Sequence, residues 1–288
     1  MIDKSGVKDK NIVNEECKFS VLMSVYHEEN PNYFKEALDS ILVSQTLKPN
    51  EFVLVVDGPV SNDLNIIINE YEKNNQGILR VYRLESNVGL GKALNYGLNK
   101  CTYNLVARAD SDDINVPERF QLQINRFKND NSIDVLGTFI DEFNDDYTSP
   151  INYKKMPLEH DELCKMAKQR NPINHMSVMF KKKAIIDAGA YKHLPCLEDY
   201  YLWIRVLVSK GKLENLDKYL VHVRVGNGML HRRSNKEYIP SWKILNKYMK
   251  NKKIINSIEH ARNILSIYAF IYMPVSLKRI VYKVLLRN

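Results

Sequence analysis

Short apolar runs alternate with amphipathic helical segments in the first part of the chain, and this alternation constrains the fold more than any other feature. Phe19–Tyr26 and Phe52–Val56 are almost continuously apolar and short, so they predict strands that are buried on both faces. After Pro31, apolar residues from Phe34 to Leu42 recur on one helical face, which predicts a helix. A strand followed by a helix begins a βαβ series with parallel strands.

The same alternation continues along the chain and predicts an α/β doubly wound sheet. Ligands of such sheets bind outside the carboxyl ends of the strands. The further predicted elements are a helix near Leu64–Tyr71, a strand at Leu79–Arg83, a helix over Lys92–Leu98, a strand from Leu105, strands at Ile133–Ile140 and Ser177–Phe180, a helix over Lys182–Ala188, and a helix that begins near Glu198.

The strand that begins at Leu105 ends in the acidic sequence Asp110-Ser-Asp-Asp113. Carboxylates this close repel one another unless a cation neutralises them, and Mg²⁺ or Mn²⁺ suits a site made only of carboxylates. Asp57 also follows a predicted strand, so the two acidic segments can face one crevice. The alternative is a solvated acidic turn that caps the helix after Pro117.

Several classes of protein are excluded. Gly89 and Gly91 do not start a dinucleotide-binding fingerprint, because Leu94 replaces the third glycine, and Lys92 lacks the spacing of a P-loop. The four cysteines are far apart, so we expect free thiols in a reducing compartment and no zinc site. The first apolar run is short and follows a polar start, so we expect no signal peptide and a cytoplasmic protein.

Positive charge is concentrated at the C-terminus. The chain has a net charge of +8, but residues 231–288 contain 13 basic and two acidic residues, so the remainder carries −3. This asymmetry indicates a polyanionic partner, either a membrane surface or a nucleic acid, or else a solvated helical face. Ile264–Met273 is apolar but shorter than a spanning helix, and a basic amphipathic pattern from Lys278 suits a membrane surface. The alternative is a helix packed on the main domain.

Eight motifs, in the right order between Phe19 and Arg233, give the chain its resemblance to a known family. It resembles the family 2 glycosyltransferases of bacterial O-antigen and capsule assembly, which share a nucleotide-sugar-binding fold of the GT-A type. The motifs are Ser24–Tyr26, Ala37–Ile41 with Gln45-Thr46, Val56–Pro59, Asn87–Leu90, Ala107–Asp113, Pro117–Phe120, Asn171-Pro172 with His175, and Glu198-Asp199 with Leu202-Trp203.

The resemblance implies a fold and an activity. The fold is a GT-A-type, Rossmann-like mixed sheet flanked by helices. We expect an N-terminal extension (1–18), a catalytic domain (19–233) with a nucleotide-binding half (19–113) and an acceptor half (114–233), and a basic helical tail (234–288). The activity is metal-dependent, inverting transfer of glucose or galactose from a UDP-hexose to a polyprenyl-diphosphate-linked saccharide. The enzyme would work at the inner leaflet of the cytoplasmic membrane and would not bind nucleic acid.

Residue by residue, the resemblance also implies a site. Asp112 would ligate Mn²⁺ or Mg²⁺ at the diphosphate, and Asp199 would be the catalytic base. Glu28 competes with Glu29 for a place at the uridine end of the donor. The residues expected to bind the nucleotide sugar are Tyr26, Glu29, Asp57, Lys92, Arg108 and Asp110, and those expected near the acceptor are His175, Glu198 and Trp203.

Some alternatives remain open at this stage. Glu198 and Asp199 begin a helix, where acids also stabilise the positive end of the helix dipole. The loop after Arg224 lacks the histidine that some relatives use as a metal ligand, and His222 and His231 are possible substitutes. The alternative functions are a nucleotidyltransferase acting on sugar phosphates and, from the tail alone, a nucleic-acid-binding protein.

Overall fold

The structure is a computed structural model that describes residues 18–225, 238–274 and 277. Nine strands form one sheet in the order β3-β2-β1-β4-β8-β6-β9-β5, and β7 pairs with β6. The strands are β1 (Phe19–Val25), β2 (Glu51–Val56), β3 (Leu79–Arg83), β4 (Leu105–Arg108), β5 (Ile114–Asn115), β6 (Val135–Phe143), β7 (Asn152–Lys154), β8 (Met179–Lys181) and β9 (Leu213–Arg224).

Helices cover both faces of this sheet, and two more pack beyond it. The helices of the described residues are α1 (Pro31–Leu42), α2 (Asn62–Asn74), α3 (Leu90–Lys100), α4 (Arg119–Asn129), α5 (His160–Met166), α6 (Lys182–Asp187), α7 (Glu198–Val208), α8 (Tyr238–Asn251) and α9 (Ser257–Tyr272). The side chain of Asn30 caps the start of α1, and Pro31 occupies its first turn, as the sequence predicts.

The sheet is mixed. Strands β1 to β4 are parallel, β8 is antiparallel to β4, and β9 runs parallel to β6. One core lies between the sheet and helices α1, α2 and α4, and a second lies between the sheet and helices that include α3 and α7. Because β1, β2 and β4 are parallel neighbours, their carboxyl ends meet at one edge, where the acidic segments of the sequence follow.

A third, smaller core extends the domain beyond the sheet. Leu245 and Met249 of α8 pack with Tyr200 and Ile204 of α7. Helix α9 then packs on α8, and Asn263 of α9 donates a hydrogen bond to Asn246 of α8 at 3.0 Å. The first half of the predicted tail therefore forms a helical layer on α7. In the part of the chain that the structure describes, no helix combines the length and the apolar character needed to span a membrane.

Candidate active site

Three carboxylates converge directly after β4. Asp110, Asp112 and Asp113 each offer an oxygen, and these oxygens all lie within 4.8 Å of one another. Burial, followed by the charges of Asp110 and Glu29, raises the pKa of Asp112 to about 7. Burial, followed by the charges of Asp112 and Asp110, raises the pKa of Asp113 well above its usual value. The cluster is therefore electrostatically unfavourable without a cation, and its ligand set of carboxylate oxygens fits Mg²⁺ or Mn²⁺.

Glu29, which follows β1, belongs to the same cluster. Its carboxylate accepts a hydrogen bond from the Ser111 hydroxyl, and burial raises its pKa, with a further contribution from Asp110. Glu28, the competing residue in the sequence, is exposed and accepts a hydrogen bond from the Tyr26 hydroxyl at 3.0 Å. The structure thus places Glu29 beside the acidic segment. Its role at the uridine end of the donor, which the resemblance implies, stays a prediction.

Buried and half-buried arginines hold this acidic segment in place. Arg108 is buried, forms an ion pair with Asp110, and has two nitrogens, Nε and Nη1, without a hydrogen-bond partner among the described residues. The backbone N–H of Arg224 in β9 donates to the Asp113 carboxylate at 3.0 Å, and its guanidinium pairs with Glu36 of α1. The cluster is therefore fixed from β4, β9 and α1.

Arg119, the first residue of α4, connects the segment to the core. It is fully buried and donates to the carbonyl oxygens of Arg108 at 2.7 Å and Val178 at 3.3 Å, and to the side chains of Asn115 and Gln123. Burial, followed by the charge of Arg108, lowers the pKa of Arg119 to about 9. The sequence gives no sign of this role, because an arginine after Pro117 is equally typical of an exposed helix start.

Asp57 shapes the neighbouring loop. It is buried at the end of β2, and its two carboxylate oxygens accept hydrogen bonds from the backbone N–H groups of Val88 at 2.8 Å and Gly89 at 3.0 Å. Gly89 has a φ of 86°, a left-handed conformation that glycine adopts without strain. Helix α3 begins at the next residue, and Lys92 lies exposed in its first turn. Asp57 therefore fixes the loop that leads to Lys92.

The start of α7 supplies a second group of acids. Asp199 accepts a hydrogen bond from the Asn171 amide at 2.6 Å. Burial raises the pKa of Glu198 to about 7. The Glu198 side chain lies against Gly91, where an added Cβ would be 3.2 Å from Glu198 Cγ. The starts of α3 and α7 are therefore in contact, so the Glu198-Asp199 pair lies next to the loop that Asp57 fixes.

Tyr191 is buried close to both groups of acids. Burial raises its pKa, and the charges of Arg108, Asp199 and Asp110 also act on it. Its hydroxyl is 2.9 Å from His175 Nε2, and burial, followed by the charge of Arg108, lowers the pKa of His175 well below its usual value. Burial therefore favours a neutral imidazole. The sequence pattern gives no signal for Tyr191, since it stands outside the motifs.

His175 and Trp203 are both buried. Trp203 is fully buried, His175 is 9% exposed, and their ring centroids are 6.1 Å apart. Trp203 follows Asp199 by one turn of α7, and the expected acceptor role of both residues stays a prediction. His222 lies 2.8 Å from Asp141 on the neighbouring strand β6, and it stands outside the metal-ligand cluster found among the described residues. His231 lies outside the described residues.

Comparison with known proteins agrees with this geometry. The model of the family described as "Glycosyl transferase family 2" matches residues 20–189, which is more than half of the chain. The chain belongs to glycosyl transferase family 2. It is 41% identical over 223 residues, 77% of this chain and 82% of the relative, to a protein of *Erwinia amylovora* named "Amylovoran biosynthesis glycosyltransferase AmsE".

A second relative matches almost the whole chain. An *Escherichia coli* protein named "UDP-Gal:alpha-D-GlcNAc-diphosphoundecaprenol beta-1,3-galactosyltransferase" is 33% identical over 271 residues, 94% of this chain and 97% of the relative. Among solved structures, *S. aureus* TarS 1-349 in complex with UDP-GlcNAc superposes with a TM-score of 0.65 at 20% identity, over 92% of this chain and 75% of that one. The predicted fold, a GT-A-type mixed sheet flanked by helices, is confirmed, and the chain is a glycosyltransferase.

Proposed function

We propose that this glycosyltransferase is an inverting enzyme that moves glucose or galactose from a UDP-hexose to a lipid-diphosphate-linked saccharide. The observation that carries the proposal is the convergence of Asp110, Asp112, Asp113 and Glu29 at the carboxyl ends of parallel strands. The name of the E. coli relative supports a UDP-sugar donor and a lipid-linked acceptor. The name of the Erwinia amylovora relative, which refers to amylovoran biosynthesis, supports a role in building an O-antigen or capsule repeat unit.

On the donor side, Asp112 is the proposed ligand of Mn²⁺ or Mg²⁺, and Asp110 faces the ribose or the sugar. When bound, the ion neutralises charge on the diphosphate and makes UDP a better leaving group. Arg108 keeps Asp110 oriented, while Lys92 adds positive charge on the diphosphate side. Tyr26, which is 36% exposed, offers an aromatic face to the uracil ring.

On the acceptor side, Asp199 is the proposed general base. Asn171 holds one of its carboxylate oxygens, which fixes the direction from which Asp199 takes the proton of the attacking hydroxyl. Attack from the face of the sugar opposite the departing UDP inverts the configuration at the anomeric carbon. Glu198 lies at the junction of α3 and α7 and is the nearest second carboxyl group in the sequence.

The acceptor also determines where the enzyme works. A saccharide linked through diphosphate to a polyprenyl chain is held at a bilayer, so the proposed place of reaction is the cytoplasmic face of the plasma membrane, with the protein bound peripherally. The concentration of basic residues between 231 and 288 suits such an anionic surface, and the proposal includes no nucleic-acid partner.

Acceptor-dependent release of UDP tests the proposal. Purified protein is incubated with individual UDP-hexoses and Mn²⁺ or Mg²⁺, with and without a synthetic GlcNAc-diphosphate-lipid of short chain. We expect UDP release that requires both the acceptor and the ion, and a product heavier by one hexose. Release that is unaffected by the acceptor, or transfer of a phosphorylated sugar, would contradict the proposal. The Asp199→Asn variant should lose most of this acceptor-dependent release. Asp187→Asn, at the exposed end of α6, is its matched control and should behave like the wild type.

A further inference from the structure

Helix α9 has two apolar faces, although the domain uses only one of them. The inner face carries Ile267 and Ile271, which are 8% and 5% exposed. On the outer face, Ile258, Leu265 and Tyr272 are 80%, 71% and 63% exposed. Each of these residues lies seven positions from the next, so their directions around the helix axis differ by no more than about 40° and they form one line along the helix. An exposed apolar line of this kind is characteristic of a binding surface.

The surroundings of this outer face are strongly basic. Between Tyr238 and Pro274 the chain has six basic residues, Lys243, Lys247, Lys250, Lys252, Lys253 and Arg262, and one acidic residue, Glu259. The Glu259 carboxylate is already engaged, since it pairs with Lys168 at 3.3 Å and caps the start of α9. Lys243 of α8 lies 5.3 Å from the ring centroid of Tyr268 on α9. Tyr268 in turn stacks on Tyr272, with 6.3 Å between ring centroids, so positive charge lies near one end of the outer face.

We infer that the outer face of α9, defined by Ile258, Leu265 and Tyr272, docks on the anionic surface of a lipid bilayer. The inference rests on the proposed function, because the acceptor's lipid carrier lies in such a bilayer. An apolar line flanked by lysines lies in the interfacial region with its side chains among the acyl chains and its cations at the head groups. At 16 residues, α9 is shorter than the roughly 20 residues of a spanning helix, which agrees with a position along the surface.

This placement has a consequence for the reaction. Helix α9 packs on α8, and α8 packs on α7 through Leu245 and Met249. Helix α7 begins with Glu198 and Asp199. Docking of α9 therefore sets the height of the proposed base above the bilayer through two rigid helix contacts. The acceptor sugar is attached to its lipid by a diphosphate, so this height decides which sugar of the acceptor reaches Asp199.

Vesicle binding of exposed-face variants tests the inference. The full-length protein carrying both Ile258→Ser and Leu265→Ser is co-sedimented with vesicles made of equal parts phosphatidylglycerol and phosphatidylcholine. We expect binding to weaken on the order of tenfold or more, since two apolar side chains no longer enter the acyl region. The matched control is the double variant Val43→Ser, Ile66→Ser. Val43, directly after α1, is 66% exposed and Ile66 of α2 is 64% exposed, and this variant should bind like the wild type.

A second arm tests the charges. Lys243→Gln with Lys247→Gln should weaken binding to the same vesicles by about fivefold for each lysine. Wild-type protein should bind far less to vesicles of phosphatidylcholine alone. Because all four substituted side chains are exposed, thermal melting should match the wild type.

Two outcomes would overturn the inference. One is vesicle binding by the Ile258→Ser, Leu265→Ser variant that equals that of the wild type. The other is that the wild type is a dimer and this variant a monomer, while both bind vesicles equally well. The outer face would then bind a second copy of the chain. Vesicle binding is measured without donor or acceptor, so it remains informative if the proposed donor or acceptor is wrong. Transfer to a short soluble acceptor should be unchanged in the variant, which separates docking from the active site.

Discussion

Replacing Arg119 with methionine should destabilise the segment that carries the acidic cluster. Arg119 is fully buried and all four of its acceptors are neutral: two backbone carbonyls and the side chains of Asn115 and Gln123. Methionine approximates the length of the aliphatic part of the side chain but donates no hydrogen bond. The change therefore removes the connections from α4 to the end of β4 without opening a large cavity.

The magnitude follows from the groups left behind. The Val178 carbonyl keeps a donor, because the backbone N–H of Arg108 bonds to it at 2.9 Å. The other three acceptors, which are the Arg108 carbonyl and the side chains of Asn115 and Gln123, lose the hydrogen bond that Arg119 donates. Each buried acceptor left unsatisfied costs about 1–3 kcal/mol, or about 3–9 kcal/mol together. Removing a buried charge works in the opposite direction, by about 1–4 kcal/mol. We expect the lost hydrogen bonds to dominate and the free energy of unfolding to fall by about 3 kcal/mol.

Urea unfolding followed by tryptophan fluorescence measures this change. The matched control is Arg83→Met, because Arg83 also donates to two neutral amides, at Asn65 and Asn69, but on the exposed surface. The control should change the free energy of unfolding by less than about 0.5 kcal/mol. If Arg119→Met is as stable as Arg83→Met, the buried network does not stabilise the acidic segment.

Two further variants test the start of α7. Asp199→Asn keeps the size of the side chain and its ability to accept hydrogen bonds but removes its basicity. The kcat should therefore fall on the order of 10²-fold, with little change in the KM for the donor. A near-normal kcat would mean that Asp199 only caps the helix. Burial raises the pKa of Glu198 to about 7, so the folded state holds this proton more tightly than the unfolded state, and the associated stability is lost as pH rises from about 4.5 to about 7. In urea unfolding, the free energy of unfolding of Glu198→Gln should therefore rise by about 2 kcal/mol relative to that of the wild type between about pH 5 and about pH 8, after allowance for partial exposure. A difference between the two proteins that does not change with pH would contradict the buried placement of Glu198.

The parallel half of the sheet is predictable from the sequence because its strands are short apolar runs. Strand β1 begins at the predicted residue, and α3 extends two residues beyond the predicted helix at each end. Strand β9 is not predicted, since Glu214, Asp217 and Lys218 interrupt its apolar pattern. It forms because it pairs along the length of β6, with a register irregularity near Thr138–Ile140 that absorbs the mismatch.

The site is predictable to the extent that its residues follow strand ends. The convergence of Asp110, Asp112 and Asp113 follows from their position after an apolar run, and the structure brings Glu29 to them across the edge of the sheet. Partners that come from distant elements are not predictable in this way. Asn171 meets Asp199 only because the chain between them folds back, and no local pattern encodes that contact.

The proposed membrane-binding surface also depends on tertiary contacts that the sequence pattern does not reveal. The sequence identifies an apolar segment at Ile264–Met273, but not which of its side chains the domain buries. The structure shows that Ile267 and Ile271 are buried, whereas Leu265 is exposed. Truncation before Ile264 would remove both packing and surface, so substitution of exposed side chains on the outer face is the sharper experiment.

Calorimetric titration of UDP tests directly whether the acidic cluster binds the UDP end of the donor together with a divalent cation. Wild-type protein and Asp112→Asn are titrated with UDP in the presence of Mn²⁺ and again with excess EDTA, with the exposed loop substitution Asp146→Asn as the control. We expect binding by the wild type and the control only with Mn²⁺, and at least about tenfold weaker binding by Asp112→Asn. Equal UDP affinity with and without the ion, unchanged by Asp112→Asn, would contradict this expectation.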